Sequence, residues 1–174
     1  YTETIPTGAT NVIIELFGMS AIGQHGQIVV GSQGGGGGSG GYSRSSYTVA
    51  ALGGSGKTFT ITLGAAGTST NSTITAGTVT GFTGMTSPYG SPGTAGTNAN
   101  DGTGGAAGAI GTGGNVTNTT GNPGNPGGGL SGGGDGSGGA GVVGVNGSGR
   151  AGGTGTFTGS NSPGGDGWAY FYYT

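Results

Sequence analysis

Hydrophobic residues in this chain are concentrated in short runs near its two ends. Asn11–Phe17 is a continuous β-rich run, and residues 42–50 and 58–63 alternate apolar with polar side chains. Trp168–Tyr173 is an aromatic run that closes the chain. The pattern predicts strands at 1–5, 11–17, 42–50, 58–63, 71–80 and 168–173, and it predicts no α-helix.

Turn residues between these runs suggest how the strands connect. Residues 1–17 are predicted to form two strands around Pro6-Thr7-Gly8. The strands at 42–50 and 58–63 are predicted to form a hairpin around the glycine-rich turn 53–56. From residue 81 to residue 166 the sequence gives no strand or helix signal, only glycine-rich blocks with small polar insertions.

Glycine recurs at every third residue over much of the chain. Uninterrupted series with this spacing are Gly31, Gly34, Gly37 and Gly40; Gly102, Gly105, Gly108, Gly111 and Gly114; Gly138, Gly141, Gly144 and Gly147; and Gly149, Gly152 and Gly155. The polyproline II-type helix has three residues per turn and no internal hydrogen bonds. Glycine along one edge of such a helix lets another helix approach to backbone contact. The predicted fold is therefore all-β and irregular: packed polyglycine II helices, a polyglycine sandwich, framed by short antiparallel strands.

The number of glycine edges predicts where each helix lies. A helix with one neighbour needs glycine on one edge, whereas a surrounded helix needs it on all three. Residues 34–38, 127–129 and 132–134 are expected in the interior, and the 102–114 series at the surface. We expect a single domain over 1–174, with a β frame at 1–17, 42–80 and 167–174 and a glycine lattice at 18–41 and 81–166.

Composition removes two other interpretations of so much glycine. Collagen needs an unbroken Gly-X-Y register and abundant proline, but only six prolines accompany the 52 glycines, and the register slips between Gly147 and Gly149. A disordered linker is usually charged and lacks apolar clusters, whereas here charged residues are 5% and the apolar residues are grouped. Hydrophobic residues are 29% of the chain, so backbone hydrogen bonds must supply much of the stability.

Charge and residue usage exclude several functional classes. The net charge is −2 with only three basic residues, which argues against nucleic acid as a partner. There is no cysteine, so no disulfide or thiolate metal site is expected. No segment approaches the roughly 20 apolar residues of a membrane span, so no membrane insertion is expected. No cofactor is predicted.

Motifs that carry chemistry occur here in the wrong context. Residues 51–58 fit a relaxed phosphate-loop pattern, but Thr58 begins a predicted strand rather than a helix. His25 is the only histidine, and no Gly-x-Ser-x-Gly elbow stands between a strand and a helix. We therefore do not expect an enzyme.

Isolated polar residues are best explained by structure or composition. The aspartates Asp101, Asp135 and Asp166 are scattered, which argues against a calcium site. Asp166 is expected to be a turn residue whose carboxylate accepts hydrogen bonds from backbone amides. Formal glycosylation sequons follow from the abundance of asparagine, serine and threonine and begin at Asn71, Asn115, Asn118 and Asn146.

The framing strands resemble a known family. Residues 5–18 (IPTGATNVIIELFG) look like the opening of the glycine-rich domain of phage tail fibres, followed by a glycine run and by GGYSR at 40–44. FTITLG at 59–64 and GGDGW at 164–168 match the later strands of that family. The middle resembles the polyglycine II sandwich of the receptor-binding adhesins of T-even-type long tail fibres. The resemblance implies a virion or extracellular location, and as partners a host-cell surface protein or glycan and the rest of a fibre.

Interruptions of the glycine pattern are the expected recognition loops. They fall at 82–89, 115–125, 142–146 and 156–161, where aromatic and asparagine side chains suit binding on a rigid scaffold. The receptor-binding candidates are Phe82, Met85, Tyr89, Asn115, Asn118, Asn122, Val143, Asn146, Phe157 and Asn161. For Phe82, Met85 and Phe157 the alternative is packing over the frame as a small core.

Two other functions stay open on sequence alone. A structural subunit of an extracellular filament or coat fits the low charge, and its aromatic C-terminal strand would pair between subunits. An ice-binding protein with a flat polyglycine II face is the weaker alternative.

Overall fold

The computed structural model describes residues 1–27, 32–97, 100–128, 136–145, 148–156 and 160–174. Within these ranges there is no α-helix, so the prediction of an all-β fold is confirmed for the described residues. The strands are β1 (Thr2–Thr4), β2 (Asn11–Phe17), β3 (Tyr42–Thr48), β4 (Thr58–Thr62), β5 (Ser72–Thr75), β6 (Met85–Ser87), β7 (Thr117–Thr119) and β8 (Trp168–Tyr173). A single 3₁₀ turn, Ala50–Leu52, follows β3.

The strands form two antiparallel sheets. The first sheet has the order β1-β4-β5-β6 and the second has the order β7-β3-β2-β8. In the second sheet β2 pairs with β3 from Asn11↔Thr48 to Phe17↔Tyr42, and on its other side with β8. The short strands β6 and β7 lie between residues 81 and 166, where no strand was predicted. That prediction is wrong because three residues are too few to show a period.

The predicted hairpin of 42–50 with 58–63 is wrong. β3 pairs with β2 and β7, while β4 pairs with β1 and β5 in the other sheet. The connection carries buried Val49 and Leu52 into the core, and Gly53, Gly54 and Gly56 reverse the chain with positive φ. Crossing between the sheets lets the apolar faces of both strands meet, which a flat hairpin would leave exposed.

A hydrophobic core fills the space between the two sheets. Its buried members are Ile5, Val12, Ile14, Leu16, Val49, Leu52, Phe59, Ile61, Ile74, Val79, Phe82 and Met85. Phe82 packs edge-on against Phe59, with ring centroids 5.2 Å apart. Phe82 and Met85 are only 7% and 2% exposed, so they are not available to a receptor and the core alternative holds for both. The reason is that Met85 on β6, and Phe82 three residues before it, pack into the core between the sheets.

Glycine-rich segments extend from the same ends of these strands. Segments 1, 3 and 5 continue β2, β6 and β7, and segments 2 and 8 lead into β3 and β8. Odd-numbered segments run away from the sheets and even-numbered segments return. The eight segments, together called the glycine lattice, are segment 1 (18–27), segment 2 (32–41), segment 3 (88–97), segment 4 (100–111), segment 5 (120–128), segment 6 (136–142), segment 7 (149–156) and segment 8 (160–167).

Segment 2 lies at the centre and donates hydrogen bonds to three neighbours in turn. The amides of residues 35, 38 and 41 donate to carbonyls of segment 3, with N···O distances of 2.8–3.0 Å. Those of residues 36 and 39 donate to segment 5, and that of residue 37 donates to segment 7. Donors to one neighbour are therefore three residues apart.

The carbonyls of segment 2 bind the other three neighbours with the same period. Those of residues 35, 38 and 41 accept from segment 1, those of 33, 36 and 39 from segment 4, and those of 34 and 37 from segment 6. Backbone hydrogen bonds also join the neighbours into a closed ring, in the order 1, 3, 4, 5, 6, 7 and back to 1. Segment 2 is thus surrounded by six other segments of the glycine lattice.

Glycine on all three edges makes this central position accessible to segment 2. A Cβ added at Gly34, Gly37 or Gly40 would lie 1.8–2.4 Å from backbone atoms of segment 1. One added at Gly35, Gly38 or Gly41 would lie 1.9–2.4 Å from segment 4, and at Gly36 2.2 Å from segment 6. Since residues 32–41 are all buried, the prediction that 34–38 are interior is confirmed.

Two further predictions about position have different outcomes. Gly102, Gly105, Gly108 and Gly111 are buried while the residues between them are half-buried or exposed, which confirms the surface position of this series. The interior position predicted for 127–129 is wrong, because Gly127 is half-buried and Gly128 exposed. Residues 129 and 132–134 lie outside the described residues.

Candidate functional site

The described ends of segments 1 and 2, 3 and 4, 5 and 6, and 7 and 8 lie together at the end of the glycine lattice farthest from the sheets, which we call the distal end. Backbone bonds align the outer parts of these segments: Gly96 donates to His25, Gly102 to Gln33 and Gly26 to Thr156. The described ends of the segments therefore share one face of the molecule.

Hydrogen bonds join the last described residues of paired segments at the distal end. The Gln27 amide donates to the carbonyl and the hydroxyl of Ser32, at 3.0 and 3.2 Å. The Thr97 amide donates to the Asn100 carbonyl at 2.8 Å, and the Thr156 hydroxyl donates to the Ser160 carbonyl. Three of the four pairs, segments 1 and 2, 3 and 4, and 7 and 8, are therefore joined at their last described residues.

Polar side chains dominate the described part of the distal end. His25 Nδ1 lies 2.9 Å from Asn161 Oδ1, which links segment 1 to segment 8. The carboxylate of Asp101 accepts a hydrogen bond from the Gln33 amide at 2.9 Å. Imidazole, amide and carboxylate groups on a fixed backbone offer both donors and acceptors to a ligand.

Three of the predicted asparagines are engaged by the scaffold. Asn115 accepts from the Ser46 amide at 2.9 Å and donates to the Ser46 carbonyl at 3.0 Å, as a paired strand residue would. Asn118 makes the same two bonds to Gly114, and Asn122 donates to the Ala140 carbonyl at 2.8 Å. Their amides stabilise the connections near the sheets, because a side-chain amide carries the same donor and acceptor as a peptide group.

The remaining predicted residues are spread over the molecule. Tyr89 is half-buried beside β6, and Val143, which is 80% exposed, lies in the connection of segments 6 and 7 on the sheet side. Of the described candidates, only Asn161 lies at the distal end. Asn146 and Phe157 lie outside the described residues. Sequence reasoning missed His25, Gln27 and Asp101, although each lies near the midpoint between two strand-linked segments, where the chain must reverse.

A cleft at the junction of the glycine lattice and the second sheet is a separate feature. It has a volume of about 560 Å³, and its walls include Arg150, Asp166 and Trp168. The Asp166 carboxylate accepts a hydrogen bond from the Ala66 backbone amide at 2.6 Å. This donor is 100 residues away in the sequence, so the bond is a long-range one and not the local turn bond that was predicted. This cleft contains a large aromatic ring, that of Trp168.

A buried charged cluster stabilises the base of the lattice. Glu15 on β2 is fully buried and accepts hydrogen bonds from the Tyr42 hydroxyl at 2.5 Å and from the Val145 amide at 2.7 Å. Arg44 Nε lies 3.9 Å from the same oxygen. Burial, followed by the hydrogen bond to Glu15, raises the pKa of Tyr42 above its ordinary value. Because these groups are buried, their contribution is structural.

Metal and membrane features were also sought in the described ranges. There, no group of three or more histidine, aspartate or glutamate residues is arranged to hold a metal ion. No helix in the same ranges is long and apolar enough to cross a membrane.

No known family model matches this chain, and no similar curated protein is found.

Proposed function

We propose that this chain is a receptor-binding adhesin module, carried on a phage tail fibre, whose distal end contacts a molecule on the host-cell surface. The observation that carries this proposal is the convergence of the described ends of the eight segments at one end of the glycine lattice. Binding residues are commonly placed on loops that a rigid scaffold positions. The sheets occupy the opposite end, where the module would meet the rest of a fibre.

We infer that the eight segments are polyglycine II helices. The three-residue period of the hydrogen bonds supports this, as does the lack of backbone bonds within any one segment across the described ranges. At about 3.1 Å per residue, a ten-residue segment of this kind spans roughly 31 Å. Such a scaffold holds the distal end well away from the hydrophobic core.

A scaffold of this kind separates stability from recognition. Residues 34–38 of segment 2 make their hydrogen bonds through backbone atoms, so these bonds do not depend on which side chains the distal end carries. Substitutions at the distal end then change the ligand while the glycine contacts stay the same. This is the property that a module for recognising variable cell surfaces requires.

The proposal is tested by cell binding of the purified, fluorescently labelled chain. We expect saturable binding to at least one strain in a panel of bacteria. A distal variant carrying H25A, Q27A and N161A should bind that strain at least tenfold more weakly. The matched control carries T60A, T62A and T75A, three exposed threonines of the first sheet, and should bind as the parent chain does.

Two results would contradict the adhesin proposal. One is binding that the control weakens as much as the distal variant does. The other is binding to no strain, together with concentration-dependent assembly of the chain. The latter result would favour the second candidate, a filament or coat subunit, which is supported by the edge position of β8 and by the 44% exposure of Tyr172 on it.

A further inference from the structure

Two open clefts lie side by side at the junction of the glycine lattice and the second sheet. Their volumes are about 560 and 550 Å³, and both are lined by Arg150, Ala151 and Trp168. The backbone of residues 163–167 contributes to the first cleft, and residues 148–149 contribute to the second. The two clefts form a continuous surface around one tryptophan and one arginine, which we call the Trp168 cleft.

Trp168 is held as a fixed platform. One face of its ring stacks on Phe17, with centroids 4.6 Å apart and planes 9° from parallel. Its indole N–H donates to the Ser148 carbonyl at 3.0 Å. These contacts prevent the ring from turning while the rest of it lines the cleft. A fixed aromatic surface binds the C–H face of a sugar ring, because the partly positive C–H groups meet the negative face of the π system.

Arg150 places a positively charged side chain on the same surface. Its aliphatic stem crosses Gly165, where an added Cβ would lie 2.4 Å from Arg150 Cβ and Cγ. Among the described residues its guanidinium has no hydrogen-bond or ion-pair partner; the ion pair found there joins Arg44 to Glu15. A guanidinium with free donors binds a carboxylate through two parallel hydrogen bonds.

Asp166 adds an acceptor to the first cleft. The bond from the Ala66 amide, 2.6 Å long, holds one carboxylate oxygen in place. A carboxylate has room for further donors, so a sugar hydroxyl is a suitable ligand for it. An aromatic platform, a free guanidinium and an oriented carboxylate thus share one wall of the molecule.

We propose that the Trp168 cleft binds an acidic saccharide. The sugar ring packs on Trp168, its carboxylate pairs with Arg150, and its hydroxyls donate to Asp166. The chain has only three basic residues and one tryptophan, so an unpaired arginine beside that tryptophan does not follow from composition. This site is separate from the distal end, and each can fail without the other.

Trp168 also provides the readout, since it is the only tryptophan in the chain. Its fluorescence is measured during titration with N-acetylneuraminic acid, with galacturonate and with neutral galactose. We expect a saturable change with at least one acidic sugar, with a Kd of about 1 mM or below, as for a small-ligand contact of this size. Galactose should bind at least tenfold more weakly.

Two variants assign the binding to the cleft. R150Q keeps a polar side chain but removes the charge, and should weaken binding of the acidic sugar at least tenfold. K57Q removes a positive charge from the residue before β4 and should leave the affinity unchanged. W168F keeps a ring against Phe17 and is followed by calorimetry; we expect weaker binding with an unchanged far-UV spectrum.

Three results would overturn the proposal. The first is no saturable change with either acidic sugar up to about 10 mM. The second is equal affinity for galactose and the acidic sugars. The third is an equal effect of R150Q and K57Q, or full calorimetric affinity in a folded W168F variant.

Discussion

At the scale of single residues, glycine acts here through the atoms it lacks. Each interior glycine of segment 2 points a Cα–H group toward the backbone of a neighbouring segment, where a methyl group would overlap it. Such Cα–H···O contacts contribute about 0.5–1 kcal/mol each. They accompany an N–H···O bond at most of the same residues. Close approach of backbones therefore replaces much of the side-chain packing of an ordinary core.

Gly36→Ala should be strongly destabilising. Its Cβ would lie 2.2 Å from the Ser137 carbonyl oxygen, and backbone on every side leaves nothing flexible to move. We expect a loss of at least about 3 kcal/mol in the free energy of unfolding, at the upper end for overpacking. Urea denaturation measures it.

Ala106→Ser on the exposed edge of segment 4 is the matched control. It should change the free energy of unfolding by less than about 0.5 kcal/mol, as surface substitutions do. Equal stabilities of the two variants would show that segment 2 is not enclosed as described.

Residue identity also explains where the predicted site was wrong. Phe82 and Met85 interrupt the glycine pattern because they complete the hydrophobic core. Asn115 and Asn118 interrupt it because their amides pair with backbone groups. From the sequence alone, a side chain used for binding and one used for internal bonding look the same, because both break the same repeat.

At the scale of elements, local sequence patterns predicted which strands form but not which strands pair with each other. The alternation in β4 and the apolar run in β2 gave both strands correctly. Their pairing depends on contacts distant in sequence, such as Phe17 with Trp168 in β8. For the glycine segments, the presence of glycine on all three edges of residues 34–38 correctly predicted that these residues are buried. At 127–128 the same reasoning failed, because glycine permits close neighbours without requiring them.

The period of three gives segment 4 a testable register. Its residues 102, 105 and 108 donate in turn to residues 33, 36 and 39 of segment 2. One alanine inserted after Ala106 would rotate the following glycines away from segment 2 and turn alanine toward it. We expect loss of cooperative unfolding, or a loss of at least about 3 kcal/mol, by the same overpacking.

Insertion of Gly-Gly-Ala at the same point is the control, because it keeps glycine at the positions of Gly104 and Gly105, where a Cβ would overlap neighbouring backbone. It restores the spacing and moves only one turn of chain toward the distal end. Its stability should stay within about 1 kcal/mol of the parent, because lengthening a connection costs little. Equal free energies of unfolding for the two insertion variants would contradict a three-residue register.

At the scale of the whole molecule, two kinds of core are joined end to end. The sheets bury aliphatic and aromatic side chains, and the glycine lattice buries backbone. Strands β2, β3 and β8 pass directly into segments 1, 2 and 8 or out of them, so the side-chain core sets the alignment of the lattice. The result places the described ends of the eight segments at one end, where we propose that recognition occurs.

The enclosed position of segment 2 is the central claim, and amide hydrogen exchange resolved by residue tests it most directly. The amides of residues 35–39 and 41 all donate to neighbouring segments. They should exchange as slowly as those of β2 and β3, at rates that report global unfolding. Exchange of these six amides at the rate of an unstructured glycine peptide, with β2 and β3 still protected, would contradict the account.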